Sequence, residues 1–185
     1  MAQYAIAVLV GSLRKDSINR KLASAVVKLG AADFTFRVVE IGGLPLYNQD
    51  DESNPPAPVT RFRGEIKAAD GFLFVTPEYN RSIPGVLKNA LDQASRPYGQ
   101  NAWAGKPAGM LGISTGAIGT AMAQQHLRNI LVFLNVLTLA QPEAFIQLKE
   151  GLFDEKGEIG PGSRQFLQGW MDAFAAWVRK HAALS

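Results

Sequence analysis

The chain has 185 residues, of which 47% are apolar and 19% are charged, and it carries a formal net charge of +3 and no cysteine. This length suits one α/β domain, and the apolar content excludes an intrinsically disordered chain. The lack of cysteine excludes disulfides, thiolate nucleophiles and cysteine-ligated metals, and two histidines, His126 and His181, do not favour a histidine-rich metal site. Any redox or group-transfer chemistry would therefore depend on an organic cofactor or on hydroxyls and carboxylates.

Short apolar runs alternate with helical patterns along the chain. Each run is mostly continuous, which is typical of parallel strands that are covered on both faces. In chain order the sequence predicts a strand over Tyr4–Val10, a helix around 18–29, a strand over Phe34–Ile41, a helix around 59–69, a strand over Gly71–Pro77, a helix around 87–94, a strand over Pro107–Ser114, a helix around 127–134, a weaker fifth strand from Val136–Leu139 with Ala144–Ile146, and an amphipathic helix around 166–178. This alternation predicts one doubly wound α/β domain over residues 1–185.

Two connections are much longer than the rest. The segment Gly42–Pro58 contains four prolines, which predicts irregular structure, and Leu148–Gly162 is rich in glycine and charge. Long loops of this kind in a compact domain are usually functional or disordered.

The segment after the first strand is suited to a phosphate group. In open α/β sheets, ligands bind at the carboxyl ends of the strands. Here the chain offers Ser12, Arg14, Ser17 and Asn19 just before a helix, whose first N–H groups favour an anion. The segment has neither the dinucleotide fingerprint nor a Walker loop. The alternative is an ordinary serine-capped helix start.

Two further polar loops follow the third and fourth strands. Ser82 is the expected N-cap of the third helix, with Pro84 in its first turn. Three polar loops at one sheet edge describe a mononucleotide site, with phosphate at the first loop and a flat ring at the other two. The candidate ring residues are Pro77, Glu78, Tyr79, Asn80, Ser82, Ser114, Thr115 and Gly116.

Two segments together resemble the NADPH-dependent FMN reductase family. The first reads Gly11-Ser12-Leu13-Arg14-Lys15-x-Ser17-x-Asn19, and the second reads Pro77-Glu78-Tyr79-Asn80-x-Ser82-x-Pro84-Gly85-x-Leu87-Lys88-Asn89-Ala90-x-Asp92. The resemblance covers essentially the whole chain. It implies a flavodoxin-like fold with five parallel strands in the order 2-1-3-4-5, bound FMN, NADPH or NADH as hydride donor, and a homodimer or homotetramer. Members of the family reduce quinones, azo dyes or chromate.

The resemblance also implies a division of roles in the site. The first loop would hold the FMN phosphate, Pro77 to Asn80 would line the edge of the flavin ring, and Ser114 to Gly116 would close its pyrimidine side. A flavin carries the redox chemistry itself, so no side chain is expected to act as nucleophile or obligatory base. Because one ring face must stay open for donor and acceptor in turn, we expect ping-pong kinetics.

Two positions depart from the family pattern. Gln93 stands where many members have tryptophan, and Thr120 follows Gly119 where a second glycine is common. The first departure bears on packing near the ring edge, and the second bears on nicotinamide access.

Two alternative functions were compared with the sequence, a serine hydrolase and an electron carrier. Gly112-Ile113-Ser114-Thr115-Gly116 is a literal G-x-S-x-G segment, the motif of a serine hydrolase elbow. Against it, the next helix is expected to start only near Gly119. The second rival is a flavodoxin-type electron carrier, which would bind FMN without nicotinamide turnover. Such carriers tend to be strongly acidic, whereas this chain is slightly basic.

Partners and location follow from what the chain lacks. Its basic residues are spread out rather than clustered, so nucleic acid is not an expected partner. No apolar run has the ~18 residues of a membrane span, and the first residues lack a signal peptide's basic start. We therefore expect a cytoplasmic protein. No metal is expected, and the resemblance implies a small-molecule electron acceptor.

Overall fold

The computed structural model describes residues 3–182. A parallel sheet runs in the order β2-β1-β3-β4-β5, and β6 also pairs with β4. The elements are β1 (Tyr4–Val10), α1 (Ile18–Val26), β2 (Phe34–Val38), α2 (Ala57–Ala68), β3 (Gly71–Val75), α3 (Gly85–Ala94), β4 (Pro107–Ser114), α4 (Ala121–Phe133), β5 (Leu137–Thr138), β6 (Phe145–Gln147) and α5 (Pro161–His181). The predicted strand order and flavodoxin-like class are confirmed.

Two strands are shorter than predicted. β2 ends at Val38 rather than Ile41, and it lies at the sheet edge, where Thr35 and Arg37 are exposed. β3 ends at Val75 rather than Pro77. Proline has no N–H to donate, so Pro77 cannot extend a strand that has partners on both sides.

The weak fifth strand is two separate strands. β5 pairs with Pro107 and Ala108 at the beginning of β4, whereas β6 pairs with Gly112 to Ser114 at its end. β4 therefore has partners along both of its halves, and its carboxyl end is fixed where the polar loop begins.

The proline-rich segment is not wholly irregular, which corrects the prediction for Gly42–Pro58. It contains a short 3-10 helix at Gln49–Asp51, and its last two residues already belong to α2. Pro58 lies in the first turn of α2, where a missing N–H costs no helical hydrogen bond. The first predicted helix likewise ends in a 3-10 turn, Val27–Leu29.

The sheet is buried on both faces. Residues from α1 and α5 cover one face, where Trp170 and Phe174 stack with ring centroids 5.7 Å apart. Residues from α2, α3 and α4 cover the other, where Trp103 packs against Phe72 at 4.9 Å. The carboxyl ends of β1, β3 and β4 remain available for a ligand.

A half-buried lysine fixes the start of β4. Lys106 Nζ donates to the carbonyl oxygens of Ile66 and Lys67 at the end of α2, at 2.8 and 2.7 Å. Burial lowers the pKa of Lys106.

In the described part of the chain, no helix combines the length and apolar character needed to cross a membrane.

Candidate functional site

Three loops meet at the carboxyl edge of the sheet. We call residues 11–17 the first loop, residues 76–84 the third loop and residues 115–120 the fourth loop. Gly11 N donates to Val75 O at 2.9 Å, and Thr76 N donates to Leu111 O at 3.1 Å. A Cβ at Gly11 would lie only 2.7 Å from Thr76 Oγ1. The structure therefore brings the predicted site residues into one region.

The first loop carries hydroxyl groups that remain free to donate. Ser12 is 5% exposed, and its hydroxyl has no hydrogen-bond partner within residues 3–182. Ser17 is the N-cap of α1, where its Oγ accepts from Arg20 N at 3.2 Å and keeps its own hydrogen. The Ser12 oxygen keeps a small contact with solvent, so a bound phosphate oxygen could replace water as its partner. The loop thus fits the phosphate group that the resemblance implies.

Arg14 and Asn19 have different surroundings. Arg14 is exposed and forms no ion pair in the part of the chain that the structure describes. Asn19 is buried, and its amide joins α1 to β4: Nδ2 donates to Ile113 O at 2.9 Å and Oδ1 accepts from Ile113 N at 3.0 Å. One Nδ2 hydrogen remains, so a phosphate contact by Asn19 stays a prediction beside this structural role.

The third loop contains a tight turn in an unusual conformation. Tyr79 and Ser82 exchange two backbone hydrogen bonds, at 2.9 and 3.0 Å. Between them Asn80 and Arg81 have φ values of 52° and 67°. Two consecutive positive φ values define a type I′ turn, in which asparagine is common but arginine is strained. Both side chains are exposed.

Ser82 does not cap α3, which corrects the sequence prediction. The helix begins at Gly85 after the extended residue Pro84 and has no side-chain cap. The turn holds the Ser82 backbone, and its Oγ lies 3.0 Å from His126 Nδ1 on α4.

Glu78 caps a helix that is distant in sequence. Its Oε2 accepts from Met122 N at 2.9 Å and from Ala123 N at 3.1 Å, in the first turn of α4. Thr120, the residue before α4, makes no side-chain cap bond. A carboxylate at a helix N-terminus is stabilised by the helix dipole, so Glu78 ties the third loop to α4.

The fourth loop is folded by Ser114. Its Oγ donates to Gly119 O at 2.7 Å and accepts from Gly116 N at 3.1 Å. Gly119 has a φ of +63°, and a Cβ there would lie 2.7 Å from the backbone of Phe145. Thr115 and Gly116 are exposed at the same edge.

The G-x-S-x-G segment does not form a nucleophile elbow. Helix α4 begins only at Ala121, and the Ser114 hydroxyl is used within its own loop. His181 lies on α5, with its ring centroid 4.0 Å from that of Trp177. Within residues 3–182, no histidine or carboxylate is hydrogen-bonded to Ser114, so no general base is in place.

Both departures from the family pattern are buried away from the loop surfaces. Gln93 Nε2 donates to Pro45 O at 2.9 Å, and Asn89 Nδ2 donates to the same oxygen at 2.8 Å. Gln93 thus holds the segment that follows β2. Thr120 is fully buried and accepts from Gln124 Nε2 at 2.9 Å.

Comparisons with known proteins agree on one kind of protein. A family model described as NADPH-dependent FMN reductase matches residues 4–151. The chain is 54% identical over 175 residues to a 2-hydroxy-1,4-benzoquinone reductase of a Burkholderia species, covering 94% of this chain and 96% of the relative. It is 50% identical over 182 residues to a quinone reductase of Pseudomonas putida, covering 98% of each. Among solved structures it is similar to FerB, a flavoenzyme NAD(P)H:(acceptor) oxidoreductase from Paracoccus denitrificans. That match has a TM-score of 0.93 and 45% identity and covers 97% of this chain and 100% of FerB.

Proposed function

The chain belongs to the NADPH-dependent FMN reductase family, and we propose that it uses FMN and NAD(P)H to reduce small quinones. Its cofactor and its hydride donor follow from that membership and from the similar flavoenzymes. The observation that supports the proposal most directly is the first loop, where the Ser12 and Ser17 hydroxyls lie at a capped helix start, next to the two loops that would take the ring.

Each loop has a separate task in this proposal. Bound FMN would supply the redox chemistry, which is hydride acceptance from the nicotinamide and two-electron transfer to the acceptor. The FMN phosphate would be held by Ser12, Arg14, Ser17 and Asn19. The flavin ring would be lined at the third loop by Pro77, Glu78, Tyr79, Asn80 and Ser82. At the fourth loop it would be lined by Ser114, Thr115 and Gly116. A donor aimed at atoms that gain negative charge on reduction favours the reduced flavin. We name no catalytic nucleophile, base or metal ligand.

Turnover separates this function from that of a flavodoxin-type carrier. The FMN-loaded protein should oxidise NADPH or NADH when 1,4-benzoquinone is present, with ping-pong kinetics. Azo dyes, chromate and free flavin belong in the same screen because family members differ in acceptor. FMN-loaded protein that shows no quinone-dependent oxidation of either nicotinamide would be a carrier, and the proposal would fail.

Cofactor selectivity tests the first loop. We expect FMN to bind more tightly than riboflavin or FAD, because riboflavin lacks the phosphate and FAD would have to extend its adenylate past Arg14. Equilibrium titration of apoprotein with the three flavins measures this. Equal affinities for riboflavin and FMN would contradict the phosphate assignment.

Asn80 tests the third loop. We expect Asn80→Ala to lower the flavin midpoint potential and slow anaerobic reduction by NADPH, because the lost amide would favour the reduced ring more than the oxidised one. Alanine is also strained at a φ of 52°. Asn80→Gly removes the amide without that strain, so both variants should shift the potential in redox titration. If the midpoint potential shifts in Asn80→Ala but not in Asn80→Gly, the shift comes from backbone strain and not from the lost amide.

The assembly and location are also proposals. We propose a homodimer or homotetramer in the cytoplasm, formed by one domain over residues 1–185 and with no nucleic-acid partner. Val132 and Phe133 at the end of α4 support self-association, because they are 71% and 84% exposed in the single chain. Light scattering of the purified protein tests the oligomeric state.

A further inference from the structure

The turn at Asn80 and Arg81 is tied to α4 on both of its sides. Before the turn, the Glu78 carboxylate accepts two N–H groups from the first turn of α4. After the turn, Ser82 Oγ lies 3.0 Å from His126 Nδ1. Met122 and His126 are four residues apart, so the two residues are separated by about 6 Å along the axis of α4.

The turn has few other supports. Asn80 and Arg81 are exposed, both have positive φ, and neither side chain forms a hydrogen bond within the described range. Backbone strain of this kind costs about 1–3 kcal/mol per residue and persists only where surrounding contacts fix it. Apart from the two hydrogen bonds that close the turn, the side-chain hydrogen bonds of residues 78–82 within the described range all go to α4.

Helix α4 can serve as a rigid support. Leu127 and Leu131 are fully buried against the sheet. Gln124 is also fully buried and donates to Thr120 Oγ1 and to Ala144 O, both at 2.9 Å. His126 projects from this fixed helix on its exposed side.

We propose that His126 is a positioning residue for flavin reduction and acts through Ser82. The pair holds the Asn80–Arg81 turn against α4 and so fixes the groups that face the ring. This inference rests on the proposed function, and it assigns Ser82 to the support of the loop rather than to direct contact with FMN. A small displacement of such groups slows a reaction without removing the cofactor.

The first test replaces His126. In FMN-loaded His126→Ala, we expect the rate of anaerobic flavin reduction by NADPH to fall about two- to tenfold, the equivalent of one hydrogen bond. The midpoint potential and the visible circular dichroism of the flavin should change as well. FMN affinity should stay within about twofold, because the first loop is untouched. His126→Asn can retain a polar atom near the Nδ1 position, so we expect it to recover part of the rate.

The matched control is Gln125→Ala on the same helix. Gln125 is exposed, and its Nε2 donates a hydrogen bond to Glu143 Oε1 at 3.2 Å, away from the turn. Its rate, potential and spectrum should equal those of the unmodified protein. If His126→Ala behaves like Gln125→Ala, the proposal is wrong.

A double-mutant cycle decides how Ser82 acts. If Ser82 works through His126, Ser82→Ala should reproduce His126→Ala, and the double variant should be no slower than either single variant. Additive effects would mean that Ser82 acts on the flavin independently, which would overturn the proposal. Failure of the unmodified protein to reduce quinones would instead refute the proposed function, while potential and spectrum would still report on the turn.

Discussion

We expect Gly112→Ala to lower the free energy of unfolding by roughly 3 kcal/mol or more, at the upper end of the cost of overpacking. Gly112 lies in β4, where the sheet is fully buried. A Cβ at this position would overlap the carbonyl oxygen of Thr76 and the hydroxyl of Thr120. Neither can move alone, because Thr76 follows β3 directly and Thr120 precedes α4. The third and fourth loops would therefore separate, and FMN binding should be lost together with stability.

The control for this prediction is the second glycine of the same G-x-S-x-G segment. A Cβ at Gly116 would meet only Ser114 Oγ, at 3.6 Å, which is ordinary van der Waals contact. The free energy of unfolding of Gly116→Ala, measured in urea, should lie within about 0.5 kcal/mol of that of the unmodified protein. If both variants unfold at the same denaturant concentration, the close approach of β4 to Thr76 is not what requires glycine at position 112.

This segment also shows why a short motif can mislead. From the sequence, G-x-S-x-G predicts a nucleophile elbow as readily as it predicts a loop. In the fold, Gly112 is required by a backbone contact across the sheet, and Ser114 closes its own loop on Gly119. Neither reason is visible in the spacing, because one depends on a neighbouring strand and the other on a backbone conformation.

The sequence predicts the sheet well because local patterns determine it. β1 and β4 have the predicted bounds, since each is a continuous apolar run that ends at small or polar residues. The strand ends at Val38 and Val75 differ from the prediction because they depend on where each strand lies in the sheet. β2 is an edge strand that pairs with β1, and β3 is a central strand that Pro77 cannot extend. The fifth strand was misread because two short strands share the edge of β4.

Motifs predict the candidate site residues, but they do not predict the partners of these residues within the fold. Glu78 contacts Met122 across 44 residues of sequence, and Asn19 contacts Ile113 across 94. Such contacts leave no periodic signal.

The second large effect is expected at Arg14. A hydrogen bond between an arginine and a phosphate contributes about 1.5–3 kcal/mol net, so Arg14→Ala should weaken FMN binding about ten- to a hundredfold. Riboflavin has no phosphate, and its affinity should hardly change. Because Arg14 is exposed and forms no ion pair within residues 3–182, its truncation should leave thermal stability unchanged.

Two further variants separate a specific contact from general charge. Lys15 is the next residue and is equally exposed, so Lys15→Ala removes the same charge from the same loop. We expect its effect on FMN affinity to be about threefold or less and to vanish at high salt, as for a screened surface charge. Arg14→Lys keeps the charge but loses the planar fork, so it should recover only part of the affinity. If Arg14→Ala weakens riboflavin and FMN equally, Arg14 supports the loop rather than the phosphate. If Lys15→Ala matches Arg14→Ala, the loop attracts the phosphate by charge alone.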